Sequence, residues 1–495
     1  MRKKKLAKNT ITSFLIQAVM IISGFIMPRL ILSHYGSEVN GLVNSISQFL
    51  LVISFLEFGV ANVVQTAFYK PLAEKNDLEI SKIYKSSNKF FRTIGNVLFV
   101  YVVILFFIYP YISDSSFDFL YTGTLIICIS ISYFAQYYFG MTEYMLIGAD
   151  QLTYIYNWLH MGLLTLNTVS CIVLVNIGAS IHMVKLSTSL IYIIRPLFLR
   201  AYVKKHYNID RNVTYTEEPI KQKWNGVAQH ISDAILNNTD SVVLTIFSTL
   251  SNVSIYSVYN LVLYGIKQLF SSLMKGVQAL MGELYAKREI ENLRDVFTLT
   301  EWVNHMATVF VFTCTAVLIV PFISVYTKGI NDADYIQYSF AMVITIANGI
   351  YTLRQPYHSM ILASGKYKET QGCYIISAIL NLGVSIIMVY RFGLIGVAIG
   401  TLVSMIYQTV YMSWYVINKV LVLKYTEFFK LVFTDVTVFI LGYYISKLVL
   451  RQVESYLDWV IVAVMVALIV LAITIILNLV LYPKNIRKMM EKIRK

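Results

Sequence analysis

Charged side chains are scarce in this chain of 495 residues. They form 14% of it, whereas soluble domains contain about 25%, and 57% of the residues are hydrophobic. Helix-breaking residues are also few, with 8 prolines and 23 glycines. A composition so poor in charge excludes an ordinary soluble protein and predicts a membrane protein.

The residues that most enzymes and metal proteins need are missing as groups. The four cysteines, Cys128, Cys171, Cys314 and Cys373, stand singly in separate apolar stretches, so no zinc-site spacing occurs. We find no nucleophile–base pair, no metal-ligand cluster and no glycine-rich phosphate loop in the sequence. We therefore predict a protein that is not an enzyme and holds no structural metal.

What the chain has in abundance is apolar stretches of about 20 residues, the length that crosses a bilayer as a helix. We predict an all-α polytopic membrane protein with about fourteen transmembrane helices, and an even number places both ends on one side. The predicted spans are 11–32, 42–66, 93–112, 120–140, 152–175, 181–200, 226–249, 254–281, 302–325, 337–359, 371–390, 394–417, 430–449 and 459–482.

The basic residues follow this map. Of 41 lysines and arginines, 31 fall on the side of the amino terminus and three fall in the opposite connections. Such a bias marks the cytoplasmic side of a membrane protein. The net charge of +14 is thus explained by topology, with both termini in the cytoplasm, and nucleic acid is not an expected partner.

The chain also resembles itself at an offset near 215 residues. Residues 145–149 (MLIGA) align with 360–364 (MILAS), and Gly178 aligns with Gly393. Six spans separate the copies, so we predict a parallel repeat about an axis along the membrane normal. The expected organisation is a six-helix bundle in 1–215, a second in 216–425, and two additional helices with a basic tail in 426–495.

Two neighbouring predicted spans carry polar stripes. In 226–249, Asp233 and Asp240 lie on one helix face with His230 and Asn237, and in 254–281 another face carries Lys267 and Lys275. Because a charge at the bilayer centre costs roughly 2.5–3.5 kcal/mol on insertion scales, these faces should avoid lipid. One reading is a polar helix–helix seam; the other, favoured by the pairing of acids with lysines, is a hydrated transport path.

Other intramembrane charges lie in the first half. Arg29 sits near the outer end of the first span, where it either snorkels to the surface or faces a cavity, and Glu57 lies deeper in the second. Arg195 and Arg354 lie near predicted cytoplasmic ends and should anchor their helices there. The isolated histidines, His160, His305 and His358, are expected in hydrogen-bonded helix seams.

These charges suggest a division of roles. Arg29, Lys267 and Lys275 are cations that could neutralise an anionic substrate group such as a phosphate. Glu57, Asp233 and Asp240 could pair with the lysines at rest, or take up the H⁺ or Na⁺ that drives transport. No other cofactor is expected.

The chain resembles a known family, the polysaccharide-transporter branch of the MATE/flippase (MOP) superfamily. Within that branch it resembles the Wzx-type flippases of lipid-linked oligosaccharides. The likeness covers nearly the whole chain and includes the arrangement of six, six and two spans. The local matches are PRLIL at 28–32, Tyr35-Gly36, LEFGVA at 56–61, NNTD at 237–240 and IYSVY at 255–259.

The resemblance implies movement of a polyprenyl-pyrophosphate-linked oligosaccharide from the inner to the outer leaflet by alternating access. It implies key charges on the first, second, seventh and eighth spans, where Arg29, Glu57, Asp240, Lys267 and Lys275 fall. It further implies the cytoplasmic membrane of a bacterium, export of a capsule, O-antigen or cell-wall polysaccharide, and a polymerase and other assembly proteins as candidate partners.

Four alternatives stay open. A lipid II-type flippase of peptidoglycan precursors is a relative. An ion-coupled multidrug exporter is disfavoured because lysines in the cavity repel cationic drugs. A glycan polymerase or ligase is disfavoured because the outer connections are too short for acceptor chemistry. A membrane scaffold for glycan assembly would not require charged stripes.

Overall fold

The computed structural model describes residues 2–53, 58–113, 117–220 and 227–487. Within these ranges the chain is helical and contains no strand, which confirms an all-α polytopic membrane protein. The helices of the first half are α1 (Arg2–Leu51), α2 (Phe58–Glu74), α3 (Asp77–Ile112), α4 (Phe119–Phe139), α5 (Met141–Ala149), α6 (Thr153–Asn176) and α7 (Ile181–His206).

The second half contains nine further helices. They are α8 (Val227–Phe247), α9 (Leu250–Ala286), α10 (Ile290–Tyr326), α11 (Tyr338–Leu353), α12 (Gln355–Ala363), α13 (Tyr367–Phe392), α14 (Leu394–Tyr415), α15 (Tyr425–Lys447) and α16 (Tyr456–Leu481). A π-helical segment, Val416–Leu421, extends α14, and Val422 in a left-handed conformation ends it.

Ten helices of the described ranges are long and apolar enough to cross a membrane. Of the predicted spans, 226–249, 254–281, 337–359 and 42–66 correspond to helices that do not meet that description, namely α8, α9, α11 and α2. The first two are rich in polar residues, and α11 has only 16 residues. The count of fourteen crossings therefore stays a prediction.

Two predicted spans are interrupted in the structure. The span 42–66 is divided between the end of α1 and α2, and Glu57 between them lies outside the described residues. The span 337–359 breaks between α11 and α12, where Pro356 at the second residue of α12 cannot donate the backbone hydrogen bond of a continuous helix. Gly36 interrupts α1 with a φ of 82°, a conformation that glycine adopts without steric cost.

The chain forms two compact units. Unit 1 comprises Met1–Ala234 with Thr249–Ser254, and unit 2 comprises Ile235–Ser248 with Ile255–Lys495. In unit 1, α4 packs on α3 and α7, and α6 packs on α1 and α7. In unit 2, α14 packs on α11 and α13, and α10 packs on α11, α15 and α16.

The internal repeat is visible in the order and the boundaries of the helices. The starts of α3, α5, α6 and α7 recur 213 or 214 residues later as the starts of α10, α12, α13 and α14. Each unit also has one interrupted helix pair, α4–α5 at Gly140 and α11–α12 at Arg354. These recurring interruptions mark equivalent positions in the two units.

Candidate functional site

A polar cluster lies inside unit 2, in a part of the chain that is otherwise apolar. Helices α8, α9, α11, α13 and α14 each contribute to it, and we call it the Asp240–Lys267 cluster. Its members are Thr239, Asp240, Tyr256, Lys267, Tyr351, Arg354, Asn381, Thr401 and Gln408.

Asp240 is the centre of one half of this cluster. Its side chain is buried, with 3% of the residue exposed. Its Oδ2 accepts hydrogen bonds from the Tyr256 hydroxyl and the Thr401 hydroxyl, both at 2.8 Å. Its Oδ1 is buried and has no hydrogen-bond partner among the described residues. A buried carboxylate oxygen without a donor is costly, so this atom is suited to receive a proton or a cation.

An amide completes the surroundings of Asp240. The Asn381 side-chain nitrogen donates to the Thr401 hydroxyl at 3.2 Å, and its oxygen accepts from the Thr239 hydroxyl at 3.2 Å. Because Thr401 accepts from Asn381, its own proton can be donated to the Asp240 Oδ2 at 2.8 Å or to the Val397 carbonyl oxygen at 3.2 Å. Asp240 is therefore held in a network spanning α8, α9, α13 and α14.

A close approach of α13 and α14 places Thr401. A Cβ added to Gly400 would overlap the Ser385 hydroxyl and lie 2.8 Å from the Asn381 carbonyl oxygen. A Cβ on Gly396 would overlap the Met388 backbone. Small residues that let helix backbones touch are common in membrane helix pairs. Here they bring the hydroxyl of α14 within reach of an acid on α8.

Two cations form the other half of the cluster. Lys267 Nζ lies 4.9 Å from the centre of the Tyr351 ring, and the Arg354 guanidinium lies 4.6 Å from the same centre. Arg354 is 1% exposed and donates a hydrogen bond to the Gln408 side-chain oxygen. Our expectation that Arg354 anchors a helix end at the surface is wrong. Arg354 lies at the break between α11 and α12, and its side chain is buried in the interior of unit 2.

The charges of this cluster do not balance. Lys267 interacts electrostatically with Asp240 and with Arg354, so two cations and one carboxylate meet among the described side chains. Aromatic faces stabilise cations by about 0.5–2 kcal/mol, which offsets part of the cost of burial. Among the described side chains, the cluster thus contains one more cation than carboxylates.

The remaining predicted site residues are not part of this cluster. Lys275 lies on α9 two turns beyond Lys267 and is exposed. Arg29 is a partly buried residue of α1 in unit 1. Asp233 lies on α8, but its side chain is outside the described residues, as is the whole of Glu57.

Several members of the cluster were missed by sequence reasoning. Asn381, Thr401 and Gln408 are polar residues inside predicted spans that are otherwise apolar. A polar side chain inside a membrane span is the sequence signal that could have identified them. Tyr256 lies in the IYSVY match at 255–259 but was given no role there. Tyr351 gave no signal, because tyrosines are abundant throughout the chain, with 37 in total.

A second buried group, which we call the His305 group, joins α10 to α12 and α15. The Asp435 Oδ2 lies 2.6 Å from the His305 Nδ1, and the Tyr357 hydroxyl donates to the Glu301 Oε1 at 2.5 Å. His305 is 1% exposed. The expectation of a hydrogen-bonded seam is confirmed for His305, and likewise for His358 with Tyr374. His160 contacts Tyr156 within its own helix, and its contact with another helix is to Arg195 of α7 at 3.5 Å.

Comparison with protein-family models and with curated proteins finds no match. Solved structures do match. A lipid II flippase, MurJ, in an inward closed conformation has a TM-score of 0.73 at 14% identity, over 97% of this chain and 99% of the other. An inward-facing multidrug resistance MATE transporter of the MOP superfamily has a TM-score of 0.63 at 15% identity, over 81% of this chain and 97% of the other.

A further match is a MOP-superfamily transporter from Pyrococcus furiosus, whose binding pocket is described as having reverse polarity. It has a TM-score of 0.53 at 14% identity and covers 83% of this chain and 95% of the other. At such identities a likeness establishes the fold and leaves the substrate open. The chain therefore has the fold of the MOP-superfamily flippases and transporters.

Proposed function

We propose that the protein is a flippase that moves polyprenyl-pyrophosphate-linked oligosaccharides from the inner to the outer leaflet of a bacterial cytoplasmic membrane. The observation that carries the proposal is the positive excess of the Asp240–Lys267 cluster, in which Lys267 and Arg354 share the Tyr351 ring. Cations held inside the membrane bundle of a transporter fold suit a substrate with a negative group.

This charge supports the proposed substrate class. A pyrophosphate carries several negative oxygens, and both ammonium and guanidinium groups bind such oxygens by charge-assisted hydrogen bonds. A cationic drug would meet like charge at Lys267 and Arg354, which disfavours the drug-exporter alternative. Arg29 and Lys275 remain the further candidate cations of the substrate path.

Asp240 is the proposed coupling site. Its unpartnered Oδ1 and the oxygens of Thr401 and Asn381 are suited to receive Na⁺, and a proton on Oδ1 would equally remove the buried charge. Lys267 interacts electrostatically with Asp240. Neutralising Asp240 would therefore change the affinity of Lys267 for an anionic substrate. Glu57 and Asp233 remain additional coupling candidates.

A lipid II-type flippase is the second candidate, and one observation favours it. The MurJ structure matches 97% of this chain, whereas the MATE structure matches 81%. The difference is comparable in length to the two helices α15 and α16, which the chain has in addition to its repeat. Both candidates share a polyprenyl-pyrophosphate and differ in the attached glycan.

The test is a flipping assay with purified protein in liposomes. A fluorescent polyprenyl-pyrophosphate oligosaccharide is placed in both leaflets, and a membrane-impermeant quencher reports the fraction that reaches the outer one. We expect full quenching with the protein and half quenching in empty liposomes. Lys267→Met should slow flipping by about tenfold or more, the equivalent of ~1.4 kcal/mol, and Lys267→Arg should retain most of it.

Lys447→Met is the matched control. Lys447 also lies against a tyrosine ring, 5.0 Å from the centre of Tyr443, but on α15 and outside the cluster. Repeating the assay with fluorescent lipid II separates the two candidates by their rates. If the fraction of quenched substrate in liposomes with wild-type protein equals that in empty liposomes for both substrates, the flippase proposal is wrong.

A further inference from the structure

Unit 1 contains a small cavity that is separate from the Asp240–Lys267 cluster. It has a volume of about 110 Å³ and lies between α4, α5, α6 and α7. Gln136, Tyr144, Tyr156 and Arg195 supply its polar lining, and Gly140 and Leu199 supply part of the apolar lining. The volume is well above the ~10–15 Å³ that one water molecule requires, so the cavity has room for a small ligand group.

The Arg195 side chain lines this cavity, and its hydrogen-bond partners are uncharged. Its guanidinium donates to the Gln136 side-chain oxygen, to the Tyr156 hydroxyl at 3.2 Å and to the His160 Nδ1 at 3.5 Å. It also lies 5.8 Å from the Tyr156 ring centre and 6.0 Å from the Tyr192 ring centre. In the ranges that the structure describes, no carboxylate forms an ion pair with it. The positive charge is thus held in place but not neutralised.

The equivalent place in unit 2 is built differently. The helix starts of α7 and α14 are 213 residues apart, so Gln408 occupies the position of Arg195. There the guanidinium comes from Arg354, at the break between α11 and α12, and it is buried against Gln408 and Tyr351. Unit 1 has Gly140 at the corresponding break. In unit 1 the break carries a glycine instead of an arginine, and Gly140 lines the cavity beside the Arg195 guanidinium.

The position of Arg195 along α7 indicates where a ligand would come from. The helix ends in the basic residues Lys204, Lys205 and His206, which mark the predicted cytoplasmic surface. Arg195 lies five residues before Arg200, the end of the predicted span 181–200, which is roughly 7.5 Å along the helix axis. This depth is close to the boundary between headgroups and hydrocarbon, where basic pockets between helices bind lipid phosphates.

We propose that the Arg195 cavity binds a phosphate group carried on a lipid. The guanidinium neutralises the phosphate, and the apolar side chain of Leu199 lines the same cavity. The phosphate could belong to an anionic phospholipid or to a polyprenyl pyrophosphate, and the two share the same recognition chemistry.

Native mass spectrometry of the purified full-length protein in detergent tests this proposal. The probes are phosphatidylglycerol, phosphatidylcholine with the same acyl chains, and undecaprenyl pyrophosphate. We expect Arg195→Gln to weaken binding of the anionic probe about tenfold, and Arg200→Gln, on the same helix but outside the cavity, to leave it unchanged. Leu199→Trp, which fills the cavity and keeps the charge, should weaken binding as Arg195→Gln does.

The probes separate the two sources of phosphate. Preference for phosphatidylglycerol over phosphatidylcholine, lost in Arg195→Gln, identifies a membrane phospholipid. If Arg195→Gln loses binding of undecaprenyl pyrophosphate but not of phosphatidylglycerol, the ligand is the headgroup of a lipid-linked glycan. Equal binding by wild type, Arg195→Gln and Leu199→Trp would overturn the proposal, and so would equal losses in Arg195→Gln and Arg200→Gln. The proposal is independent of the flipping assay, because it is measured by binding alone.

Discussion

At the scale of single residues, the most informative atom is the Asp240 Oδ1. The other oxygen of this carboxylate receives two hydroxyl protons, whereas Oδ1 is buried without a donor. A structural aspartate would ordinarily have both oxygens satisfied, because each unsatisfied buried polar atom costs about 1–3 kcal/mol. The lack of a donor to Oδ1 among the described side chains is therefore an argument for a role in binding an ion.

Asp240→Asn tests this role. The amide keeps the shape and the acceptor for Tyr256 and Thr401, but it removes the charge that an ion would neutralise. We expect flipping to lose its dependence on a Na⁺ or H⁺ gradient and to fall by about tenfold or more, ~1.4 kcal/mol, while the protein still folds. The measurement is the flipping rate in liposomes with an imposed gradient of each ion in turn.

The control for this substitution is Thr401→Val, which removes one donor to Asp240 but keeps the carboxylate. It should weaken the apparent affinity for the coupling ion and preserve the dependence on the gradient. If Asp240→Asn responds to both gradients as wild type does, Asp240 is a structural residue and the coupling site lies elsewhere.

At the scale of elements, the contact of α13 with α14 decides whether the cluster can form. Gly400→Ala should push the two helices apart, because the new methyl group overlaps Ser385 and approaches the Asn381 backbone. Overpacking of this kind costs about 1–3 kcal/mol, so we expect a lower thermal midpoint in detergent, measured by loss of the monodisperse peak on size exclusion.

Gly383→Ala provides the comparison on α13. Its added methyl group would meet nothing within 4 Å, so the thermal midpoint should stay near that of wild type or rise slightly. Equal midpoints for Gly400→Ala and Gly383→Ala would show that the close approach of α13 and α14 does not contribute to stability.

The His305 group makes a second prediction at this scale. Replacing Asp435 by Leu leaves a buried imidazole without its partner, and breaking a buried pair by removal of one member costs about 3–5 kcal/mol. The double variant His305→Leu, Asp435→Leu should recover part of that loss, because neither polar group then remains unsatisfied. Thermal unfolding of the two single variants and the double variant forms the cycle that measures this coupling.

In this cycle, additive losses in the double variant would mean that the 2.6 Å contact contributes no coupling between α10 and α15. A recovery would establish that α15 is attached to the repeat through a polar contact. That distinction matters because α15 and α16 are the helices that the chain has beyond its two repeats.

Periodicity and hydropathy predicted where helices lie, but not where they break. The boundaries of α4, α6, α13 and α16 agree with the predicted spans to within a few residues, since apolar length is a property of the local sequence. The break at Arg354 was not predicted, because its stability depends on Gln408 and Tyr351. Those contacts join residues distant in the chain, so a window of local sequence carries no sign of them.

The candidate site was predictable to the same degree. Asp240 and Lys267 were found because a charge inside an apolar span is costly and therefore conspicuous. Thr401 and Asn381 are individually tolerable in a membrane helix, and their role appears only when α13 and α14 are placed side by side. Helical spacing also grouped Lys275 with Lys267, although in the structure Lys275 is exposed and lies outside the cluster.

At the scale of the whole molecule, the two units share a helix order but differ in charge. The guanidinium beside the interrupted helix pair is supplied by α7 in unit 1 and by the helix break itself in unit 2. A similar exchange occurs between the pair of Tyr84 with Glu143 and the pair of Glu301 with Tyr357. The repeat therefore preserves hydrogen-bonded pairs, and each unit carries its charges on different helices.

The number of crossings is the last open property at this scale, and single cysteines can determine it. After replacement of the four native cysteines, new ones are placed at Thr249, Lys287, Asn331 and Lys368, all of which are exposed. The fourteen-span topology places these sites alternately outside, inside, outside and inside. An impermeant thiol reagent should then label Thr249→Cys and Asn331→Cys in intact cells, and the other two only after permeabilisation.

This alternation depends on α8, α9 and α11, the helices that are too polar or too short to be recognised as spans by themselves. A polar helix crosses a membrane only when its neighbours cover its polar face, so these crossings are a property of the assembled bundle. Labelling of Thr249→Cys and Lys287→Cys from the same side would mean that α9 does not cross. Lys267 would then not lie inside the membrane, and the proposed binding of an anionic substrate at that residue would be excluded.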